Sequence, residues 1–230
     1  MIWFWIQILG LLLALYIVSR LFLQQLAKWL FALLRSRETV IKAVALFLLP
    51  GTFIHEVAHL VFAEFMKVRT DGLTVVPEIG EGNSIKLGGV KVEQTDPLRR
   101  TIIGLAPVFL GLIIIWVATV WFLVQSQSSL LILALYVYIL LQIGLTMFSS
   151  AKDLEGSFLG LILGVLLFSF LKHLGGIIVF APFSRAEVLL ENFFNRYLFF
   201  LRNGLFFTCL VIATFTLLIS LFRQLHLKRR

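Results

Sequence analysis

Six runs of this chain are each close to the length of a membrane-crossing helix, which takes about 20 mostly apolar residues. They cover 2–19 (extendable to 34), 40–66, 101–124, 129–149, 156–173 and 204–222. The links between them are too short to hold a second large domain. Composition points the same way: 60% of the 230 residues are hydrophobic, 14% are charged, and the mean hydropathy is +1.00. The expected fold class is therefore an all-α polytopic membrane protein of about six transmembrane helices. The first segment, MIWFWIQILGLLLALYIV, has no basic leader and no small-residue cleavage site, so it reads as a retained anchor.

Charge and turn residues refine this outline. A net charge of +8 on such a chain reads as Lys and Arg at helix ends, facing anionic lipid headgroups, and not as a nucleic-acid surface. Cys209 is the only cysteine, so no internal disulfide is possible. Residues 67–100 are plainly polar. Within them DGLTVVPEIGEGNSIKLGGVKVEQTDP alternates β-branched residues with glycines. A small β-rich insert is expected at about 70–96, with strands near 73–76, 84–87 and 90–94. Lys67, Arg69, Lys86, Lys91, Arg99 and Arg100 place this insert in the cytoplasm, together with the RQLHLKRR tail, and the uncharged 125–129 link outside. Residues 185–203 mix Arg185, Glu187, Glu191, Asn195, Arg196 and Arg202 with a Phe and Leu face, and read as an interfacial helix.

The stretch PGTFIHEVAHLVFA, residues 50–63, stands out from its apolar surroundings. His55 and His59 are four apart and share one helix face, where two imidazoles can bind one Zn²⁺ at about 2.0–2.1 Å each. Glu56 lies about 100° round the helix from His55. From there its carboxylate can take a proton from a metal-bound water and return it to a leaving amine. This is the H-E-x-x-H pattern of zinc peptidases. The plain alternative is a polar patch that packs against neighbouring helices. Its weakness is that ionisable groups inside membrane segments are costly and functional by default.

Two histidines leave a catalytic zinc short of one protein ligand. Glu64 is on another face of the helix, and Glu78 and Glu81 sit among Gly and Pro. Asp153 and Glu155 lie in MFSSAKDLEGSF between two apolar runs. Asp153 is the better candidate, because it follows a Ser-Ser break and has a short side chain. A second reading remains for it, that Ser149, Ser150 and Asp153 cap two consecutive helices. Glu155 reads as solvated.

The set of H-E-x-x-H in a membrane helix, a β-rich cytoplasmic segment, a further helix and an Asp-containing break resembles the site-2 protease family of intramembrane zinc metalloproteases. The similarity covers about residues 40–160. It implies His55, His59 and Asp153 as zinc ligands, Glu56 as catalytic base, and IKLGGVKVEQ as the element that pairs with an unwound substrate. The sequence departs from the family's motifs. The family's Gly-Pro…Asn appears only as GLAPVFLG at 104–111, with Ala106-Pro107 and no Asn. Its Asn-x-x-Pro-x-Pro-x-Leu-Asp-Gly is absent, LTMFSSAKDLEG having no Asn or Pro and Leu-Asp inverted to Asp153-Leu154. The implied organisation is an N-terminal anchor at 1–39, a metalloprotease core at 40–160, and C-terminal membrane helices at 161–230. A straight helix from 129 would carry Asp153 past the level of the histidines, so the helix is expected to stop near Ser149.

The expected function is hydrolysis of peptide bonds in a transmembrane protein substrate, in the cytoplasmic membrane of a prokaryote. The alternative is a non-proteolytic metal-binding membrane scaffold or transport accessory, for which Glu56 would have no use.

Overall fold

The structure, a computed structural model, describes residues 2–74, 78–79, 85–86, 89–93, 95–125, 129–148 and 184–228. Five helices make up most of it: α1 (Ile2–Leu34), α2 (Arg37–Phe65), α3 (Pro97–Val124), α4 (Leu130–Thr146) and α5 (Ser184–Lys228). Four of them are long and apolar enough to cross a bilayer, over Trp5–Leu34, Arg37–Phe65, Leu98–Val124 and Asn195–Leu225. The described architecture is that of a predominantly helical membrane protein. Its outward faces carry Leu46, Phe65, Val117 and Leu217, side chains that lipid solvates without penalty.

Helix boundaries follow from local chemistry. Arg35 takes a left-handed turn (φ 55°) between α1 and α2. Ser36 then caps α2, its side chain accepting from the Thr39 N–H. At the other end of α2, Lys67 is left-handed (φ 56°), and the Val68 and Lys67 N–H groups donate to the carbonyls of Ala63 and Glu64. That pair of bonds is a Schellman motif, and its apolar contact is made by Ala63, Val68 and Ile103 of α3. Asp96 caps α3 with Pro97 at the first position, accepting from the Arg99 N–H at 3.0 Å.

Between α2 and α3 lie four short strands, β1 (Thr70–Thr74), β2 (Glu78–Ile79), β3 (Ile85–Lys86) and β4 (Gly89–Val92). β1 pairs antiparallel with β4, Thr70 opposite Val92 and Thr74 opposite Gly89, with an irregularity between Thr70 and Leu73. β2 pairs antiparallel with β3.

The main core is one large cluster, apart from the small one of Ala63, Val68 and Ile103. Leu12, Leu15 and Phe22 of α1 pack with Leu198, Leu205 and Ile212 of α5, and with Ile115, Leu140 and Ile143 of α3 and α4. α5 runs unbroken through both 185–203 and 204–222, which the sequence divides into an interfacial helix and a span. The reason is local. No proline or glycine interrupts 184–203, and Glu, Arg, Leu and Ala favour helix even where hydropathy falls. Leu198 and Leu201 already belong to the core.

α4 is the exception among the helices. Its 17 residues span about 25 Å, short of a bilayer's roughly 30 Å. Residues 140–148 are all buried, so it ends inside the protein, with turns at Met147 and Phe148. The carbonyls at a helix end lack intrahelical donors, and α1 supplies them. The Ser19 hydroxyl donates to the Gly144 carbonyl at 2.8 Å, and the Arg20 guanidinium reaches the Phe148 carbonyl at 3.4 Å. Close packing holds that end in place: a Cβ on Gly144 would lie 2.5 Å from Thr208 Cγ2 and 2.8 Å from Ile212 Cδ1.

Candidate metal centre

α2 carries His55, Glu56 and His59 into the interior, where they are 3%, 7% and 8% exposed. Their neighbours on the helix, Thr52 and Ala58, are buried too, whereas Phe53, Val61 and Phe65 face outward. The motif therefore lies on the inward stripe of an otherwise lipid-facing helix. Hydrocarbon offers no partner to a polar group, so all three must be satisfied within the protein.

The imidazoles face each other edge to face, ring centroids 4.8 Å apart, with His55 Nε2 and His59 Nε2 separated by 3.2 Å. On its other side His59 Nδ1 lies 2.9 Å from the Ile103 carbonyl oxygen, in a buried contact. A carbonyl only accepts, so His59 Nδ1 carries the hydrogen. In a neutral imidazole that leaves a lone pair on Nε2, turned toward His55. Without an ion the His55–His59 contact is then a hydrogen bond donated by His55 Nε2.

The same arrangement suits zinc. Two nitrogens at 2.0–2.1 Å from a tetrahedral ion stand about 3.3–3.4 Å apart, within a few tenths of an ångström of the spacing found here. A ligating histidine also characteristically donates its other ring N–H to a carbonyl, as His59 does to Ile103. Spacing, burial and the His59 tautomer thus fit a shared metal on the two Nε2 atoms, for which His55 would carry its hydrogen on Nδ1 instead of Nε2.

Why the Ile103 carbonyl is open to His59 is written in α3. In an α-helix the carbonyl of residue i accepts from the N–H of residue i+4. For Ile103 that residue is Pro107, inside the helix and without an N–H. The histidine occupies the vacated acceptor.

A related arrangement lies one turn before the motif. Pro50 sits inside α2. Beside it the side-chain amide of Gln142, on α4, accepts from the Gly51 N–H at 3.2 Å and donates to the Phe47 carbonyl at 2.9 Å. Gln142 is 3% exposed. Gly51 allows the approach, since a Cβ there would lie 2.7 Å from the Gln142 carbonyl oxygen and 2.7 Å from Thr146 Oγ1.

No family model, no curated protein and no solved structure matches the chain.

The other sequence candidates divide as follows. Glu64 is exposed on α2, away from the pair. Glu78 lies in β2, while Glu81, Asp153 and Glu155 are outside the described residues. The run expected at 156–173 is outside them as well. Among the described residues, no three His, Cys, Asp or Glu side chains are grouped to hold a metal ion by themselves. What sequence reasoning missed is the surround: Gln142, Thr52, Thr146 and the Ile103 carbonyl. Pro107 was the available signal for the last of these, because an intrahelical proline frees the carbonyl four residues before it.

Proposed function

We propose that this chain is an intramembrane zinc metalloprotease, a divergent relative of the site-2 proteases, acting on peptide bonds of membrane-embedded proteins. The observation that carries the reading is the buried His55–His59 pair, with its 3.2 Å Nε2 spacing, directly beside Glu56. Six spans, a β-rich cytoplasmic insert at 70–96 and a prokaryotic cytoplasmic membrane belong to the same proposal.

In this reading His55 and His59 hold the metal through Nε2. Asp153 completes the ligand set. It lies five residues beyond Phe148, the last described residue after α4, and five residues of extended chain reach at most about 18 Å. Thr146, at the end of α4, meets α2 at Gly51, one turn before His55, which supports the reading. When bound, zinc polarises the substrate carbonyl and acidifies water. Glu56 accepts a proton from the attacking water as its oxygen bonds to the carbonyl carbon. The same carboxyl then gives that proton to the amide nitrogen as the C–N bond breaks. The Ile103 carbonyl keeps the His59 ring oriented throughout. Substrate would unwind and add a strand to the 84–94 segment, where main-chain hydrogen bonds give affinity without demanding a sequence.

A metal-binding scaffold or transport accessory is the second reading, favoured by the absence of the family's asparagine motifs around Pro107 and Asp153. Purified protein incubated with a panel of transmembrane peptides separates the two. The protease reading expects cleavage by the wild type and none by Glu56→Gln with zinc content equal in both. Equal cutting by both proteins would overturn it, as would no cutting by a zinc-loaded wild type.

A further inference from the structure

We infer that Pro107 is a positioning residue for the candidate centre: by withholding an N–H it reserves the Ile103 carbonyl for His59, and so decides which nitrogen of that ring faces the metal. The inference rests on the metal-binding part of the reading above, and not on proteolysis.

Four observations form a chain. Pro107 lies inside α3, a helix that continues on both sides of it from Pro97 to Val124. The carbonyl it leaves without a helical donor is that of Ile103, which is 4% exposed. Buried at membrane depth, that oxygen must find its donor within the protein. The donor is His59 Nδ1 at 2.9 Å, and the opposite nitrogen of the same ring then faces His55 Nε2 at 3.2 Å.

The alternatives show why the missing N–H matters. With any other residue at 107, the N–H would lie in the helix directly on the Ile103 carbonyl and compete with His59 for it. An imidazole that loses this partner has two costs. Its ring is free to rotate about its side-chain bonds, and its proton can move to Nε2, the atom needed as a ligand. The side chain of Ile103 adds a second constraint, since it packs on Ala63 and Val68 at the end of α2. The carbonyl is thus held at a fixed height against the helix that bears His59. A purely structural proline would bend α3 but would have no bearing on the tautomer of a histidine on another helix.

Three versions of the full-length protein in lipid nanodiscs test this: wild type, Pro107→Ala, and Pro107→lactate. The last is a backbone ester that, like proline, has no N–H but carries no ring. The first readout is the ¹⁵N spectrum of the His59 ring without metal. Wild type and the ester should show the hydrogen on Nδ1, and Pro107→Ala a mixture of tautomers. The second is zinc affinity by chelator competition. It should fall about 10–100-fold in Pro107→Ala, the usual effect of losing the partner behind a ligating histidine, and return close to the wild-type value in the ester.

A wild-type His59 protonated on Nε2 overturns the inference by itself. So does an alanine variant that keeps both tautomer and affinity, or an ester as impaired as the alanine, since the ring and not the missing donor would then be at work. Failure of the metal reading looks different: a wild type that binds no zinc while its His59 still carries the hydrogen on Nδ1.

Discussion

Pro50 and Pro107 interrupt two neighbouring helices, and the protein answers them differently. Beside Pro50 in α2, a glutamine amide from α4 supplies one donor and one acceptor, bonding the Phe47 carbonyl and the Gly51 N–H. At Pro107 in α3, the opened carbonyl is met by an imidazole from α2. An amide satisfied at both ends is finished; it ties two helices together and has nothing left to offer. The imidazole bonded to Ile103 through Nδ1 turns its other nitrogen to a second imidazole, an arrangement that two metal ligands also need. The devices differ: Pro107 opens the carbonyl that His59 takes, whereas Gln142 bridges the Phe47 carbonyl and the Gly51 N–H, an i,i+4 pair beside Pro50 whose own missing N–H falls to Leu46. Damage near Pro50 should register as lost stability, and damage near Pro107 as lost metal.

The largest effects fall on the ligand side. His55→Ala or His59→Ala should take zinc in the purified protein from one ion per chain to none, measured by metal analysis after dialysis, because two nitrogens cannot be replaced by a neighbour. Glu56→Gln sharpens the contrast from within the motif. It should retain zinc while peptide cleavage drops by about 10²–10⁴, the usual share of a general acid–base group. Zinc loss in that variant would make Glu56 part of the scaffold and not of the chemistry.

On the packing side, Gln142→Leu removes a buried amide and its two bonds to α2; the Phe47 carbonyl and Gly51 N–H can still pair with each other along the helix, so the loss is about 1 kcal/mol. Gly51→Ala drives a methyl into the Gln142 carbonyl oxygen and Thr146, and overpacking of this kind costs about 1–3 kcal/mol. Both are read by unfolding titration, and in both the surviving folded protein should bind zinc close to normally. If Gln142→Leu weakens zinc as much as Pro107→Ala does, the two sides are not separate.

How much of this was legible in advance follows from what a residue name can encode. The apolar runs at 2–34, 40–66 and 101–124 correspond to α1, α2 and α3, because a helix in lipid must keep all its backbone bonds internal and so shows itself by length and hydropathy. His55, Glu56 and His59 were legible from spacing alone. The end of α4 was expected near Ser149 and falls at Thr146, but its cause was hidden: Ser19 and Arg20 are more than a hundred residues away. Gln142 looked like one polar residue in a greasy helix, and its value appears only once its face is known to meet Pro50. The Ile103 carbonyl has no side-chain signature, and only the proline four residues later marks it.

The smallest expected effect is far from the centre. The Asp96 side chain accepts from the Arg99 N–H, which holds its carboxyl below its ordinary value of 3.8. A carboxyl lowered on folding stabilises the fold above the unfolded-state value and loses that contribution as pH falls through the folded one. Asp96→Ala should therefore be slightly less stable than wild type at neutral pH, by thermal unfolding, and the gap should close as the pH drops below about 4. It should leave zinc content untouched.

The central claim is that His55 and His59 present two Nε2 atoms to one metal. X-ray absorption at the zinc edge of the purified, zinc-loaded wild type tests it most directly. The account predicts one zinc per chain with two imidazole nitrogens at about 2.0–2.1 Å and oxygen in the remaining positions. A protein that takes up no zinc, or a zinc with fewer than two imidazoles around it, would contradict it.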